Sequence, residues 1–174
     1  NGGGRIVITS SGAGQIGLYG YTAYSGSKFA LRGFAEALAM ETPKDNIYVT
    51  MAYPPNTETP GFEHENLDKP EVTRAMEDAA GLFQPEKIAD SMVKAAIFGS
   101  YSCYWGLEGW MLTMVTGGMG PVDNLGDFLS QVVLGGVLRL VGTFVLMDFR
   151  RIAKKYSEQG KAVAAREGGE KKSN

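Results

Sequence analysis

A strand–helix–strand pattern in the first third of the sequence constrains the fold most. Two short runs rich in β-branched residues, Arg5 to Thr9 and Ile47 to Tyr53, predict buried strands. Between them, apolar residues recur at helical spacing from Tyr24 to about Glu41, and Pro43 follows the helix end. Strands joined by a helix of this length pair in parallel through a right-handed crossover. The chain is therefore predicted to be an α/β protein built on a parallel sheet.

The next segment predicts a loop and then two helices. Residues 54–69 open with a proline-rich run and continue as a polar stretch, which predicts a mobile loop at the carboxyl end of a strand. Loops in that position hold ligands in open parallel sheets. Pro70 and Pro85 each suit the first turn of a helix, which predicts helices over about 71–80 and 85–98.

The character of the chain changes at Tyr104. Residues 104–119 are aromatic and apolar, and residues 128–147 form an almost continuous apolar run. In that run twelve Leu, Val and Phe contribute roughly −5 kcal/mol to membrane insertion, whereas the central Arg139 costs about +3 kcal/mol. A single span, a segment in the membrane interface and a buried core helix all fit this balance. From about Ser157 the chain is charged and glycine-containing, which predicts disorder.

Composition excludes several classes of function. The 174 residues carry a net charge of −2, so the chain has no basic field that would attract nucleic acid. Cys103 is the single cysteine and His64 the single histidine, which excludes an internal disulfide and the usual Cys/His zinc arrangements. We expect no metal site.

Chemistry concentrates between Ser10 and Lys28. Tyr24 and Lys28 are four residues apart, so at the start of a helix they share one face. A lysine charge about 4.5 Å from a phenol oxygen favours the phenolate by roughly 3.7 kcal/mol at an effective dielectric of about 20. Ser11 lies at the end of the predicted strand, where a hydroxyl can donate to a substrate carbonyl oxygen. This set of groups suits proton transfer to a carbonyl.

The run Tyr24-Ser25-Gly26-Ser27-Lys28-Phe29-Ala30-Leu31, preceded by Ser10-Ser11 at the end of a strand, resembles the active-site signature of the short-chain dehydrogenase/reductase family. The resemblance implies that Tyr24 is the proton donor and that Lys28 assists it and binds the nicotinamide ribose. It further implies that a serine positions the substrate carbonyl. Ser11 stands at the commonest spacing for this serine, and Ser10 is the alternative.

The same resemblance assigns a cofactor loop and a fold. The Pro54 to Thr59 stretch stands where the family has its Pro-Gly loop, with Pro55 in place of the glycine. Thr59 fits best the threonine that contacts the nicotinamide and phosphates, and Thr57 is the alternative. The implied fold for residues 1–103 is the C-terminal half of a Rossmann-type doubly wound parallel sheet. Residues 104–149 are expected to form an apolar, membrane-associated helical segment, and residues 150–174 a basic, disordered tail.

No glycine-rich phosphate turn linking a strand to a helix precedes Ser10. We therefore expect a fragment that lacks the cofactor-binding half and is inactive alone. The runs "GQIGLYGYTAYSGSKFALRGFAEAL" and "YPPNTETPGF" resemble the members of the family that reduce a long-chain sphingoid ketone with NADPH, at the cytosolic face of the endoplasmic reticulum membrane. A membrane-associated reductase of retinoids or steroids, and a non-catalytic scaffold, are the alternatives. Small residues on the helix after Tyr24 also fit a homo-oligomer.

Overall fold

The computed structural model describes residues 2–77 and 81–170, with side chains as far as residue 160. Its sheet has three parallel strands in the order β1-β2-β3: β1 (Gly4–Thr9), β2 (Ile47–Ala52) and β3 (Ser102–Cys103). Both predicted strands are present, but only β2 is largely buried. β1 was predicted to be buried, and it lies instead at an edge of this sheet, where its residues are half-buried or exposed. The two residues of β3 are too few to show a periodic pattern in the sequence.

The described residues form the helices α1 (Thr22–Glu41), α2 (Pro60–Asp68), α3 (Glu71–Glu77), α4 (Pro85–Phe98), α5 (Gly106–Thr116) and α6 (Leu125–Glu170), of which α1 and α4 pack against the sheet. The prediction for α1 is confirmed, with a start two residues earlier than expected. α4 has the predicted bounds and ends at Gly99, whose φ of 74° is the left-handed conformation that glycine tolerates best. The predicted end of α3 at residue 80 lies outside the described residues.

The core lies between the sheet and α1. Met51 and Ala35 are fully buried there, and Val49, Tyr53 and Tyr101 complete the cluster. Because β2 is central, four of its six residues are buried, whereas the edge strand β1 alternates between half-buried and exposed positions. The sheet therefore anchors α1 through β2, and the loops after β1 and β2 emerge beside the start of α1.

The prediction of a mobile loop over residues 54–69 is wrong, because Pro60–Asp68 is a helix. Pro60 occupies its first turn, where a missing N–H costs nothing. Thr59 caps it, with Oγ1 accepting a hydrogen bond from the Phe62 N–H at 3.2 Å. Thr59 and Pro60 are a common helix start, but the neighbouring Pro54 and Pro55 favoured the prediction of a loop.

The prediction of a disordered tail is also corrected, because α6 continues as a helix to Glu170. Lys, Glu, Ala and Arg dominate its last turns and are good helix formers. Residues 171–174 lie outside the described residues. Within the described part of the chain, Leu125–Gly160 is long and apolar enough to cross a membrane, and little of its most apolar stretch is buried. The predicted α/β class, with a parallel sheet followed by a long apolar helix, is confirmed.

Candidate active site

Lys28 lies between the end of β1 and the ring of Tyr24. Its Nζ donates to the Thr9 carbonyl oxygen at 3.3 Å and stands 5.5 Å from the centroid of the Tyr24 ring. Both residues are in the first two turns of α1, so the predicted shared face is what the structure has. The Tyr24 side chain is partly exposed, and a ligand can therefore reach its hydroxyl.

Ser10 is committed to the fold. It is buried, its N–H donates to the Ala52 carbonyl at 2.8 Å, and its Oγ donates to the Lys28 carbonyl at 3.1 Å. The first bond joins the end of β1 to the end of β2, and the second fastens it to the backbone of Lys28. The hydroxyl proton of Ser10 is consequently used within the chain.

Ser11, in contrast, is half-buried and caps the short turn Gly12–Gly14, with its Oγ accepting from the Ala13 N–H at 3.2 Å. A hydroxyl that accepts still has its own proton to donate. Among the hydrogen bonds of the described residues, that proton has no acceptor. Of the two serines, Ser11 is the one whose hydroxyl can turn toward a ligand.

Gly14 lets this turn pack directly on α1. A Cβ at this position would lie 2.3 Å from Ser10 Oγ and 3.0 Å from the Lys28 carbonyl oxygen. The second atom belongs to the backbone and cannot move away without shifting α1. The close approach therefore fixes the distance between the serine turn and Lys28.

The loop after β2 holds the remaining predicted residues. Pro54 and Thr57 are half-buried, and the Thr57 Oγ1 donates to the Pro55 carbonyl at 2.9 Å. Thr59 caps α2 and donates weakly to the Thr57 carbonyl at 3.4 Å. The loop thus stands at the carboxyl end of the central strand, and both threonine hydroxyls contribute to its own conformation.

A second polar cluster, which the sequence did not predict, adjoins Tyr24. Tyr21 lies one turn earlier, and the centroids of the two tyrosine rings are 5.3 Å apart. The Tyr21 hydroxyl donates to the Glu65 carboxylate on α2, and Glu65 forms an ion pair with Lys69 at 3.0 Å. Burial, followed by the hydrogen bond to Glu65, raises the pKa of Tyr21 far above its ordinary value, so Tyr21 stays a hydrogen-bond donor. The four-residue spacing of Glu65 and Lys69 was the available signal.

Two polar contacts join α5 to the elements of this site. Gln15, which follows the serine turn, donates from Nε2 to the Thr113 Oγ1 at 2.9 Å. Arg32, one turn beyond Lys28 on α1, donates to the Thr116 carbonyl at 2.6 Å and to the Gly117 carbonyl. Since α5 packs against α6, the apolar part of the chain lies directly beside the candidate site.

The residues present fit part of a dinucleotide site. The Lys28 ammonium is only half-buried and has one long bond to a backbone carbonyl, which leaves donors for a hydroxylated ligand. The loop that follows β2 lies at the carboxyl end of the sheet, where open parallel sheets bind ligands. Within the described residues no group of His, Cys, Asp and Glu could hold a metal ion.

Residues 1–70 match the family described as short chain dehydrogenase. A 3-dehydrosphinganine reductase of Danio rerio is 49% identical over 94% of this chain and 50% of its own length. A 3-ketodihydrosphingosine reductase of Bos taurus is 49% identical over 87% of this chain and 46% of its own length. The chain belongs to the short-chain dehydrogenase/reductase family. It spans about half the length of the curated relatives it matches.

Among solved structures, a 4-hydroxyisoleucine dehydrogenase complexed with NADH is 24% identical. The match covers 56% of this chain and 43% of that one, with a TM-score of 0.44.

Proposed function

We propose that the protein carrying this chain reduces 3-ketodihydrosphingosine to dihydrosphingosine with NADPH. The observation that carries the proposal is the placement of the Lys28 ammonium beside the Tyr24 ring at the end of β1, with the Ser11 hydroxyl on the adjoining turn. The identity of 49% to relatives named for this reaction supports the choice of substrate. Because the chain spans half of those relatives, the activity is proposed for the whole protein.

In the proposed mechanism Tyr24 gives its phenolic proton to the substrate oxygen. The Lys28 ammonium stabilises the phenolate left behind, because opposite charges at this range attract even where water screens them. Ser11 donates a hydrogen bond to the same oxygen and so orients the carbonyl. Ser10 supports the site indirectly, since it holds the backbone of Lys28.

A bound nicotinamide dinucleotide supplies the hydride in this proposal. Lys28 would bind its ribose hydroxyls with the donors that the Thr9 carbonyl leaves free. Pro54, Thr57 and Thr59 would line the nicotinamide side of the site. Since each threonine hydroxyl already donates to a backbone carbonyl, it would meet the cofactor as an acceptor, or donate to it only after breaking its present bond.

The apolar part of the chain, in the same proposal, meets the long alkyl chain and the membrane that stores it. Apolar side chains of α6 are exposed between Leu125 and Met147, and α5 joins α6 to the site. The basic residues Arg150, Arg151, Lys154 and Lys155 follow the apolar run, which supports a cytosolic face on the endoplasmic reticulum membrane. The regions 1–103, 104–149 and 150–174 are proposed as the reductase, lipid-contact and basic parts, with the last helical to residue 170.

The test is NADPH oxidation by the whole protein in lipid or detergent. Its substrates are 3-ketodihydrosphingosine, a retinaldehyde and a ketosteroid at equal concentrations. We expect a clear preference for the sphingoid ketone. Turnover of the others alone would refute the substrate assignment and retain the family chemistry, whereas no turnover of any carbonyl would favour a non-catalytic scaffold. NADH in place of NADPH tests the choice of cofactor in the same assay.

A further inference from the structure

Lys69 is buried next to the candidate site, although no step of the proposed reaction uses it. Its side chain is 1% exposed, in the short connection between α2 and α3. Burial of a lysine costs several kcal/mol unless the ammonium is paired. A buried ammonium at this position therefore requires charged partners, and those partners indicate what Lys69 does in the fold.

The partners of Lys69 come from both helices that flank it. Nζ lies 3.0 Å from Glu65 on α2 and 2.7 Å from Glu77 on α3. It also stands 4.6 Å from the centroid of the Phe62 ring, again on α2. One ammonium thus joins α2, which has no buried residue of its own, to α3, which buries Val72, Thr73 and Met76, in a single α2–α3 unit.

This unit is fastened to the residues immediately before Tyr24. The Tyr21 hydroxyl donates to Glu65, and the Thr73 hydroxyl on α3 donates to the Tyr19 carbonyl at 2.7 Å. Thr73 is fully buried. At Gly20, between the two contacts, a Cβ would meet Thr73 Oγ1 at 2.9 Å and the ring of Pro70 at 3.2 Å. The α2–α3 unit consequently touches the chain at Tyr19, Gly20 and Tyr21, just where α1 begins.

The contact continues to the proposed proton donor. The Tyr21 ring packs against the Tyr24 ring at 5.3 Å, with the planes tilted by 59°. Tyr21 cannot rotate freely while its hydroxyl is bonded to Glu65, and Glu65 is held by Lys69. A continuous series of contacts therefore runs from the buried ammonium to the side chain that would give its proton to the substrate.

We infer that Lys69 is a positioning residue of the reaction: it holds the α2–α3 unit against Tyr21 and so fixes the ring of Tyr24 for proton transfer. The inference rests on the proposed function for the role of Tyr24, but the contacts themselves do not depend on which carbonyl is reduced. It assigns to α2 and α3 a mechanical role in the site.

The kinetic test uses the whole protein with NADPH and 3-ketodihydrosphingosine. Lys69→Met should lower kcat about tenfold to a hundredfold, since small displacements of reacting groups cost this much. Lys69→Arg, which keeps the cation, should retain more of kcat than Lys69→Met. The matched control is Lys94→Met, which removes an exposed ion pair to Asp90 on α4 and should leave kcat unchanged.

Tyr21→Phe removes only the hydroxyl that bonds to Glu65 and keeps the aromatic ring and all charged residues. It therefore tests the same series of contacts if Lys69→Met does not fold. This variant should lower kcat about threefold to tenfold with KM within about twofold, because the Tyr24 ring loses its fixed neighbour while substrate contacts remain. A merely structural role would leave the kcat of a folded Tyr21→Phe protein at the wild-type value. That result, or equal kcat values for Lys69→Arg and Lys69→Met, would overturn the inference.

Amide hydrogen exchange separates this inference from the proposed function, because it needs no substrate. The Ser25 N–H donates to the Tyr21 carbonyl at 2.6 Å in the first turn of α1. In Lys69→Met, exchange should accelerate both over α2–α3 and at this first turn, but at neither place in Lys94→Met. Acceleration confined to α2–α3 would refute the coupling even if the sphingoid ketone is the substrate. Wild-type protein inactive on that ketone would refute the proposed function and leave the exchange result to decide on Lys69.

Discussion

The start of α1 and the middle of α6 are both exposed helical surfaces, but they are stabilised in opposite ways. At the start of α1, polar and aromatic side chains are fixed by contacts within the chain, such as Lys28 to Thr9 and Tyr21 to Glu65. Along α6, Val133, Val137 and Phe144 are all more than half exposed. Exposed apolar surface of this extent is stabilised only by a medium or partner that covers it. The comparison indicates that contacts within the chain fix the candidate site, whereas the exposed apolar face of α6 needs a lipid or protein partner to cover it.

The largest expected effect comes from removal of the Tyr24 hydroxyl. Tyr24→Phe should lower kcat about 10²-fold to 10⁴-fold, because the proposed general acid is lost while the ring and its neighbours remain. Steady-state NADPH oxidation by the whole protein measures this. Tyr48→Phe is the matched control, since Tyr48 lies at the start of β2, far from the carboxyl end, and packs on Arg5 through its ring. Near-normal activity of Tyr24→Phe would exclude Tyr24 as the proton donor.

A core truncation and an α6 truncation should differ clearly in aqueous stability. Met51 is fully buried, so Met51→Ala should lower the free energy of unfolding by about 2–5 kcal/mol. Val133 is 70% exposed, so Val133→Ala should change it by less than about 0.5 kcal/mol. Urea denaturation followed by circular dichroism measures both. A large loss for Val133→Ala would mean that the chain itself covers α6 in solution, and the contrast between the two regions would fail.

A charge on the exposed face of α6 should weaken membrane binding and spare the fold. Val137→Asp introduces a carboxylate that costs about 3 kcal/mol in the bilayer centre, or roughly a hundredfold in partitioning. Flotation with phospholipid vesicles measures the loss. Val93→Asp on α4 makes the same change at an exposed valine outside α6 and should leave flotation unaltered. Equal flotation of the two variants would show that α6 does not enter the lipid.

The last expected effect concerns the reactivity of Cys103 in β3. Burial, with a lesser contribution from Asp123, raises the pKa of its thiol from 9.0 to about 11. The folded chain should therefore react with iodoacetamide at pH 8 about a hundredfold more slowly than the urea-unfolded chain, because the thiolate is the reactive form. Since the folded pKa is the higher one, the contribution of Cys103 to stability is complete below pH 9 and declines as the pH rises toward 11. Equal alkylation rates would place the thiol at the surface.

The sequence predicted the part of the fold in which local pattern and tertiary packing agree. β1 and β2 follow from their β-branched residues, α1 follows from its helical periodicity, and α4 follows from its proline and glycine ends. The helix α2 was missed because the prolines before it favour a loop, whereas Thr59 and Pro60 together begin a helix. In the last turns of α6, the charged and glycine-containing sequence predicted disorder, although the helix propensity of its Lys, Glu, Ala and Arg favours the observed conformation.

For the candidate site, spacing was enough to select Tyr24 and Lys28, and their shared face is seen in the structure. Spacing left Ser10 and Ser11 as alternatives, because the two serines are adjacent in the sequence. The structure distinguishes them, since Ser10 is buried and Ser11 is half-buried. The roles of all these residues, and of Thr57 and Thr59, stay predictions. The contacts of Lys69 with Glu77 and of Tyr21 with Glu65 span 8 and 44 residues, distances over which no local periodicity acts.

The edge position of β1 has a consequence for handling the chain. A strand at a sheet edge presents a row of backbone donors and acceptors that can pair with another strand. Here that row borders Val7, which is partly exposed, and lies in a chain whose α6 is apolar and uncovered. In buffer without lipid, the isolated chain of 174 residues should therefore form β-rich aggregates whose amount rises with protein concentration.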